Sequence, residues 1–301
     1  MPIEDSRNPR HPKAAREFAR TAYEALEPLH VVAYFNPHIR TQCKTAGLSP
    51  MARYLAGRGA PLGPVSGASL AAMFYNFNPA AVVAAWSEAT AFGLDRTYAL
   101  HLDAIEQTLR TAFGTLVDDP LLPSLANRFA QINNGLDYAG RPLAAAWSTT
   151  LKGETAQPAH LRLWLALAPV REFRGDGHVA ALVRAGLSDV ESVVFHESPH
   201  PDPQLRRPAL GVAFARASRA WSEQEWRTAQ ESLRARDLLD DDDAISAAGC
   251  ELYSALEDAT DDMAAGVFEG VPDAAALVAA CRPFVKAVID AGVLPGTVDK
   301  G

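Results

Sequence analysis

The sequence predicts a mainly α-helical, multi-helical protein with a few short β-strands, and three observations lead there. Apolar residues recur at helical spacing along most of the 301-residue chain. Ser, Asn and Asp stand ahead of those stripes as helix caps, with Pro and Gly as punctuation. One segment, Val190–His196, has the β-branched run bounded by turn residues that marks a strand. Hydrophobic residues make up 48% and charged residues 21%, without enrichment in Gly, Pro or Cys, which excludes collagen-like, disordered and disulfide-scaffold classes.

Taken in order, Met1–Lys13 is a polar tail with Pro2, Pro9 and Pro12 and no apolar run of the kind a secretory signal needs. Ala14–Leu29 carries Ala15, Phe18, Ala22, Tyr23, Leu26 and Leu29 on a helical stripe, with Pro28 marking a stop. Gly59-Ala60-Pro61-Leu62-Gly63 reads as a turn. Asn78-Pro79 is an N-cap and first-position pair that opens a helix over Ala80–Ala91. Asp95 caps a further helix to about Phe113, with Tyr98, Leu102, Ile105 and Leu109 on one side. Helices follow at about Leu121–Ile132, Ala159–Leu167, His178–Ala185 and Ala274–Ala291, and the four prolines of Glu197–Pro208 mark a loop.

The longest apolar stretches, Leu161–Val170 and Val179–Leu187, are core-sized, well short of the roughly 18 residues a membrane span needs. Cys43, Cys250 and Cys281 are scattered and odd in number, which suits a reducing cytoplasm. The expectation is a soluble, cytoplasmic protein with no membrane partner.

Trp221-Ser222-Glu223-Gln224-Glu225-Trp226 is the most informative stretch. Ser222 with Glu225 forms a capping box, and Trp221 with Trp226 a hydrophobic staple, so a helix starts at Glu223. It runs to about Arg236, gives way at Leu238-Leu239 to the polar hairpin-like segment Asp240–Asp243, and resumes from about Ser246 to Asp261. Helix, short β-wing, helix is the order that ends a winged helix-turn-helix, so Arg219–Ala265 reads as the second half of such a module. The domain expectation is a polar tail 1–13, a helical part 14–200 holding a pocket and a possible first winged-helix-like module, and a winged-helix-like module 209–295, the halves packed together.

The phrases Tyr34-Phe35-Asn36-Pro37, Arg58–Gly63, Phe74–Pro79, Arg171–Leu182 and Trp221–Trp226 are similar to those of an actinobacterial family loosely labelled helix-turn-helix or MarR-like. The resemblance spans about Ala14 to Gly292 and implies a winged-helix fold. In that pattern glycine is expected at the wing positions held here by Asp237 and Asp243.

Charge tests what such a fold binds. Overall the formal net charge is −8. Trp221–Ala265 holds thirteen Asp and Glu against Arg227, Arg234 and Arg236, and its wing is four consecutive aspartates. A winged helix on DNA must neutralise several phosphates, so DNA is disfavoured through this module. The acidic run is equally a solvated loop. Met1–Ala60 holds nine Lys and Arg against five acids, and Arg16, Arg20, Arg40, Lys44, Arg53 and Arg58 would supply a basic face if the N-terminal half bound nucleic acid.

The densest polar cluster is Arg171-Glu172-Phe173-Arg174-Gly175-Asp176-Gly177-His178, ahead of an apolar helix. Two glycines at a helix start would leave N–H groups free to hold an anion. Arg171 and Arg174 would bind an anionic ligand, and Asp176 and His178 would move a proton as the catalytic pair. The structural alternative is that Asp176 caps a helix, Arg174 pairs with a carboxylate and His178 is satisfied locally. Tyr75 and Asn76 are candidates to line the pocket, with His38 and Arg58 converging on it, although aromatic packing explains that segment too. His196 and His200 are split by Pro199, and no HExxH or finger spacing occurs, so no metal is expected. His160 and Trp164, four apart, suit buried packing. Nucleotide-loop, Rossmann, nucleophile-elbow and kinase motifs are absent, so no cofactor is expected either.

These features favour a small-molecule-binding protein on a repurposed winged-helix scaffold. It would act as a cofactor-independent acid–base enzyme, lyase- or cyclase-like, in bacterial specialised metabolism. The alternatives are a DNA-binding regulator of winged helix-turn-helix type, also as a homodimer, and a non-catalytic partner subunit docking through Ala274–Ala291.

Overall fold

A computed structural model describes residues 9–151, 156–202, 205 and 211–298. Fifteen α-helices form within them: α1 (Lys13–Phe35), α2 (Pro37–Ala46), α3 (Pro50–Gly59), α4 (Gly67–Met73), α5 (Pro79–Phe92), α6 (Leu94–Phe113), α7 (Leu121–Asn134), α8 (Pro142–Thr150), α9 (Ala159–Arg184), α10 (Asp189–Glu197), α11 (Gly211–Ser218), α12 (Glu223–Ala235), α13 (Ala247–Ala265), α14 (Ala274–Ala280) and α15 (Arg282–Asp290). The expected tail lies largely outside the described residues, as do 203–204 and 206–208 of the Pro-rich loop.

The chain divides into two compact units, neither a continuous stretch. Unit 1 comprises Met1–Gly47, Tyr98–His178 and Asp258–Gly301, and unit 2 comprises Leu48–Thr97 and Val179–Glu257. In unit 1, α1 packs on α14 and α15, and Trp147 and Trp164 meet edge to face at 5.4 Å in the core. In unit 2, α5 packs on α3 and α4, and α10 on α11 and α12.

Local signals place most helix starts where the sequence puts them. Asn78 accepts from the N–H groups of Ala80 and Ala81, opening α5. Ser222 and Glu225 exchange both bonds of the capping box, and α12 begins at Glu223. Gly59–Gly63 turns through a short 3-10 segment, with Gly63 at a φ of 71°.

Other expectations are overturned. Val190–His196 is not a strand but the body of α10. Ser188 and Glu191 form a second capping box, and the helix buries Val193, Val194 and Phe195. The helix penalty of β-branched residues is a few tenths of a kcal/mol each, whereas a cap contributes about 1 kcal/mol and core burial more. The few short strands are not seen among the described residues, where an isolated antiparallel bridge pairs Leu239 with Ile245. Pro28 does not end α1, because Leu29, Val32 and Ala33 continue the buried stripe and offset the lost hydrogen bond. The helix expected over Ala274–Ala291 breaks at Cys281, since Pro283 enters the first turn of α15 without an N–H to offer. Asp95 lies inside the first turn of α6 rather than at its cap. Finally, α9 runs unbroken through Pro169, Gly175 and Gly177, joining two expected helices.

Unit 2 contains two helix–turn–helix pairs. One is α4, the turn 74–78 and α5; the other is α11, the turn 219–222 and α12. The turns are bonded to each other. The N–H of Asn78 donates to the carbonyl of Arg219 at 3.0 Å, and the Trp221 indole donates to the carbonyl of Asn76 at 3.1 Å. Beyond α12 the segment expected as a wing turns back on itself, with Ser246 N–H donating to Leu238 and Asp240 N–H to Ala244. Asp237 and Asp243, where the resemblance led glycine to be expected, adopt φ of 56° and 60°, the left-handed region that favours it. Asp tolerates that region better than most residues, so the turn forms with Asp at both positions. Gly249 lets α13 lie against the wing: a Cβ there would sit 2.2 Å from the Leu238 carbonyl oxygen.

Candidate functional site

The Arg171–His178 cluster sits in mid-helix on α9 in unit 1. Its N–H groups are therefore within helical turns, and the expected anion-holding helix start does not form there. The glycines serve packing instead. A Cβ on Gly177 would lie 2.9 Å from a guanidinium nitrogen of Arg141. Through that gap Arg141 donates to the carbonyls of Phe173 and Met263 and stacks over the Phe173 ring at 3.7 Å.

Each charged side chain of the cluster faces a partner in the same unit. Arg174 donates to Asp261 at 2.6 Å, a contact buried on both sides, and its guanidinium lies 4.6 Å above the Tyr23 ring. Asp261 also receives Arg20 at 2.7 Å. Arg171 stands 3.5 Å from both Glu27 and the fully buried Glu172. Burial works against the Arg171 cation, but the surrounding Tyr34, Glu27, Glu172 and Tyr23 outweigh it and hold the guanidinium well above its ordinary range. Buried Asp176 accepts from the N–H of Ala144 at 3.0 Å, satisfying the first turn of α8. His178 Nδ1 lies 3.0 Å from the Thr260 hydroxyl.

Two of these residues line a cleft. Ala19, Ala22, Tyr23, Leu26, Glu27 and His30 of α1 face Leu167, Val170, Arg171 and Arg174 of α9, and the cleft is closed by Ala264, Val267 and Phe268. Its free volume is about 30 Å³, room for a water molecule or two. Its lining is mostly apolar, with Tyr23, Glu27, His30, Arg171 and Arg174 as the polar members. Among the described residues the buried atoms Glu27 Oε2 and Arg171 Nε have no hydrogen-bond partner. His30 stacks flat on Trp164 at 5.6 Å and its Nε2 is 2.7 Å from the Tyr34 hydroxyl.

The remaining predicted residues do not join this cleft. Asp176 and His178 belong to unit 1 but do not line it. Half-buried His38 is on α2, also away from it. Tyr75, Asn76 and Arg58 belong to unit 2. The Tyr75 hydroxyl donates to the Leu187 carbonyl at 2.6 Å, and its ring lines an open groove with Pro79, Ala80 and Val83. Arg58 donates to the Tyr54 hydroxyl and lies 4.9 Å above the Phe74 ring. Sequence reasoning missed Glu27, Glu172 and Asp261. Glu27 sits one helical turn after Tyr23 on the same helix stripe, a signal for an inward-facing acid; Asp261 carries no such mark, being one of the thirteen acids of Trp221–Ala265.

The second helix of each helix–turn–helix pair shows what those elements can touch. The solvent face of α5 is Ala80, Val83, Ala84, Ser87, Thr90 and Ala91, and the helix has no Lys or Arg. The solvent face of α12 presents Glu223, Gln224, Thr228 and Glu231, with Arg227 paired to Glu223 at 2.5 Å. Unit 2 holds eleven arginines and no lysine against sixteen Asp and Glu. Among the described residues several of these arginines are engaged internally: Arg216 faces Glu223, Arg234 pairs with Asp243, Arg236 reaches Glu191 and the Gly186 carbonyl, and Arg96 lies over Phe92. Arg16 and Arg20 of the proposed basic face pair with Asp258 and Asp261 in unit 1.

Among the described residues no group of three or more His, Cys, Asp or Glu could hold a metal, and no helix is long and apolar enough to cross a membrane. A family model described as a helix-turn-helix family matches residues 19–295. No curated protein and no solved structure matches the chain.

Proposed function

The chain belongs to this helix-turn-helix family, and from that premise we propose a small-molecule-binding protein that keeps the winged helix-turn-helix as scaffold and receives its ligand in the α1–α9 cleft of unit 1. One observation carries the reading. The helices that would enter a DNA groove present either an uncharged face, on α5, or an acidic one, on α12 beside the Asp240–Asp243 wing. Groove-reading helices contact base edges through their N-terminal residues while cations neutralise phosphate. Here the N-cap of α5 bonds to the opposite turn and to Glu225 of α12. Proton-transfer roles for Asp176 and His178 are not part of this reading, because their contacts are those of a helix cap and a packed imidazole.

Family membership favours a second reading, a DNA-binding regulator, and the two diverge in one assay. Fluorescence anisotropy of a labelled random duplex should show no binding tighter than about 10⁻⁴ M at physiological salt, the weak end of non-specific affinity. Micromolar or tighter binding that falls steeply with salt and disappears in Arg227→Glu would overturn the proposal. On the positive side, a bound ligand raises the melting temperature by mass action. That rise should vanish in Val170→Trp, which fills the cleft.

A further inference from the structure

We propose that the open groove of unit 2 lined by α4, α5 and the start of α10 binds a hydrophobic cation, a protonated amine on a flat apolar body, with the ammonium beside Asp189 and Tyr75. This site lies within unit 2 and stands whatever the α1–α9 cleft holds. Its floor is built from short side chains. Ala68 and Ala72 of α4 and Ala80 and Ala84 of α5 are exposed in it, and Val83 is 44% exposed beside them. The one charged residue of α5, Glu88, is spent on Ser49, whose N–H and hydroxyl donate to it at 2.6 and 2.7 Å. A helix apolar on nearly every side is normally covered on every side, yet this face is open to solvent. The groove has a free volume of about 830 Å³, within the roughly 300–1,000 Å³ of ligand pockets. A guest of one or two fused rings therefore has both room and a way in.

Charge sets the head group. The described lining holds no Lys, Arg or His, and its charged member is Asp189. Among the described residues no cation pairs with Asp189, whereas Glu191, two positions on, is taken by Arg236. The Tyr75 hydroxyl spends its proton on the Leu187 carbonyl at 2.6 Å, so from a guest it can only accept. Burial, Asp189 and Glu191 together push that phenol above its ordinary value of 10.0, the mark of a negative field at this point. An anion finds no counterpart here. The first-turn N–H groups of α10 that would attract one already donate within the chain, Val190 to Asp189, Glu191 to the Ser188 hydroxyl oxygen and Ser192 to the Ser188 carbonyl. A protonated amine pairs with the carboxylate, donates to the phenol oxygen and lies against an aromatic ring, while its body covers Val83 and the alanines.

The test uses the full chain with ¹³C-methyl-labelled alanine and three probes that share a naphthyl body: 2-(1-naphthyl)ethylamine, 2-(1-naphthyl)ethanol and 1-naphthylacetate. The amine should shift the methyl resonances of Ala68, Ala80 and Ala84. It should bind at least fivefold more tightly than the alcohol and at least tenfold more tightly than the acetate. Asp189→Asn keeps the size and an oxygen for the Val190 N–H; it should abolish the preference for amine over alcohol and leave the alcohol unchanged. Ala84→Trp, which fills the floor, should weaken all three. Should either variant fail to fold, the ranking of the three probes on the unaltered protein still decides the matter. Equal binding of amine and alcohol, or tighter binding of the acetate, overturns the cation. If none of the probes moves those methyls at millimolar concentration, the site itself falls. Methyl shifts that appear on raising the protein concentration alone would show the face covered by a second copy, and the proposal falls with them.

Discussion

Unit 1 buries Arg174, Asp261 and Glu172 in ion pairs, whereas unit 2, which buries the acids Glu191 and Glu197, holds several of its ion pairs at the surface beside an acidic run. In unit 1, Arg174, Asp261, Glu172 and Asp176 are buried, and each is bonded to a different helix or to its own turn. In unit 2 the ion pairs Arg227–Glu223 and Arg234–Asp243 are a third or more exposed, and the work of holding helices falls to caps, alanine faces and bonded turns. The contrast separates two jobs. In the proposed reading, charge buried in pairs would stiffen the helices around the cleft, and surface acidity would repel a polyanion.

The contrast can be broken hardest at Arg174. Arg174→Met leaves Asp261 buried with only Arg20, and unfolding in urea should show a loss of about 3 kcal/mol, the low end for orphaning a buried pair. The matching surface change in unit 2, Arg227→Ala, should cost under about 0.5 kcal/mol; equal losses would erase the distinction between the units. Asp176→Ala removes the acceptor for the Ala144 N–H at the start of α8, and about 2 kcal/mol should be lost. Asp176→Asn, which retains an acceptor, should recover most of it.

In unit 2, Ser222→Ala should cost about 1 kcal/mol through the α12 cap. The neighbouring acid Glu191 sharpens the pH side of the comparison. Burial pushes its carboxyl up, but the Ser188 N–H, the Ser232 hydroxyl and Arg236 together hold it below the ordinary value of 4.5. Its stabilisation is thus present above that value and lost as pH falls through the lower folded value, so Glu191→Gln should flatten the acid limb of stability against pH. A limb unchanged in that variant would show that other acids control it. One change should be a gain: Asp237→Gly relieves a left-handed φ at the end of α12 and should add about 0.5–1 kcal/mol, seen as a higher melting temperature.

How much was readable follows the range of the forces involved. The α12 start was readable because Trp221, Ser222, Glu225 and Trp226 lie within six residues and the cap bonds form inside that span. The strand expected over Val190–His196 failed for a related reason: the β-branched run was weighed, while the Ser188–Glu191 box just ahead of it was not. The site was half readable. Arg171 and Arg174 do line the cleft, but their assigned companions Asp176 and His178 face other helices, because on α9 their side chains point to different sides.

By itself, then, the sequence determined a helical chain, its best-capped helix starts, the acidic run Asp240–Asp243 between two helices, the lack of cationic residues on α5 and the acidic excess of α12. Those properties rest on contacts within about four residues or on composition. Only the tertiary structure decided that Arg174 meets Asp261 87 positions away, that Glu27 faces Arg171 across a cleft, and that the two turns bond to each other. Such pairings depend on which faces the packed helices bring together, and periodicity marks a face as buried without naming what it is buried against.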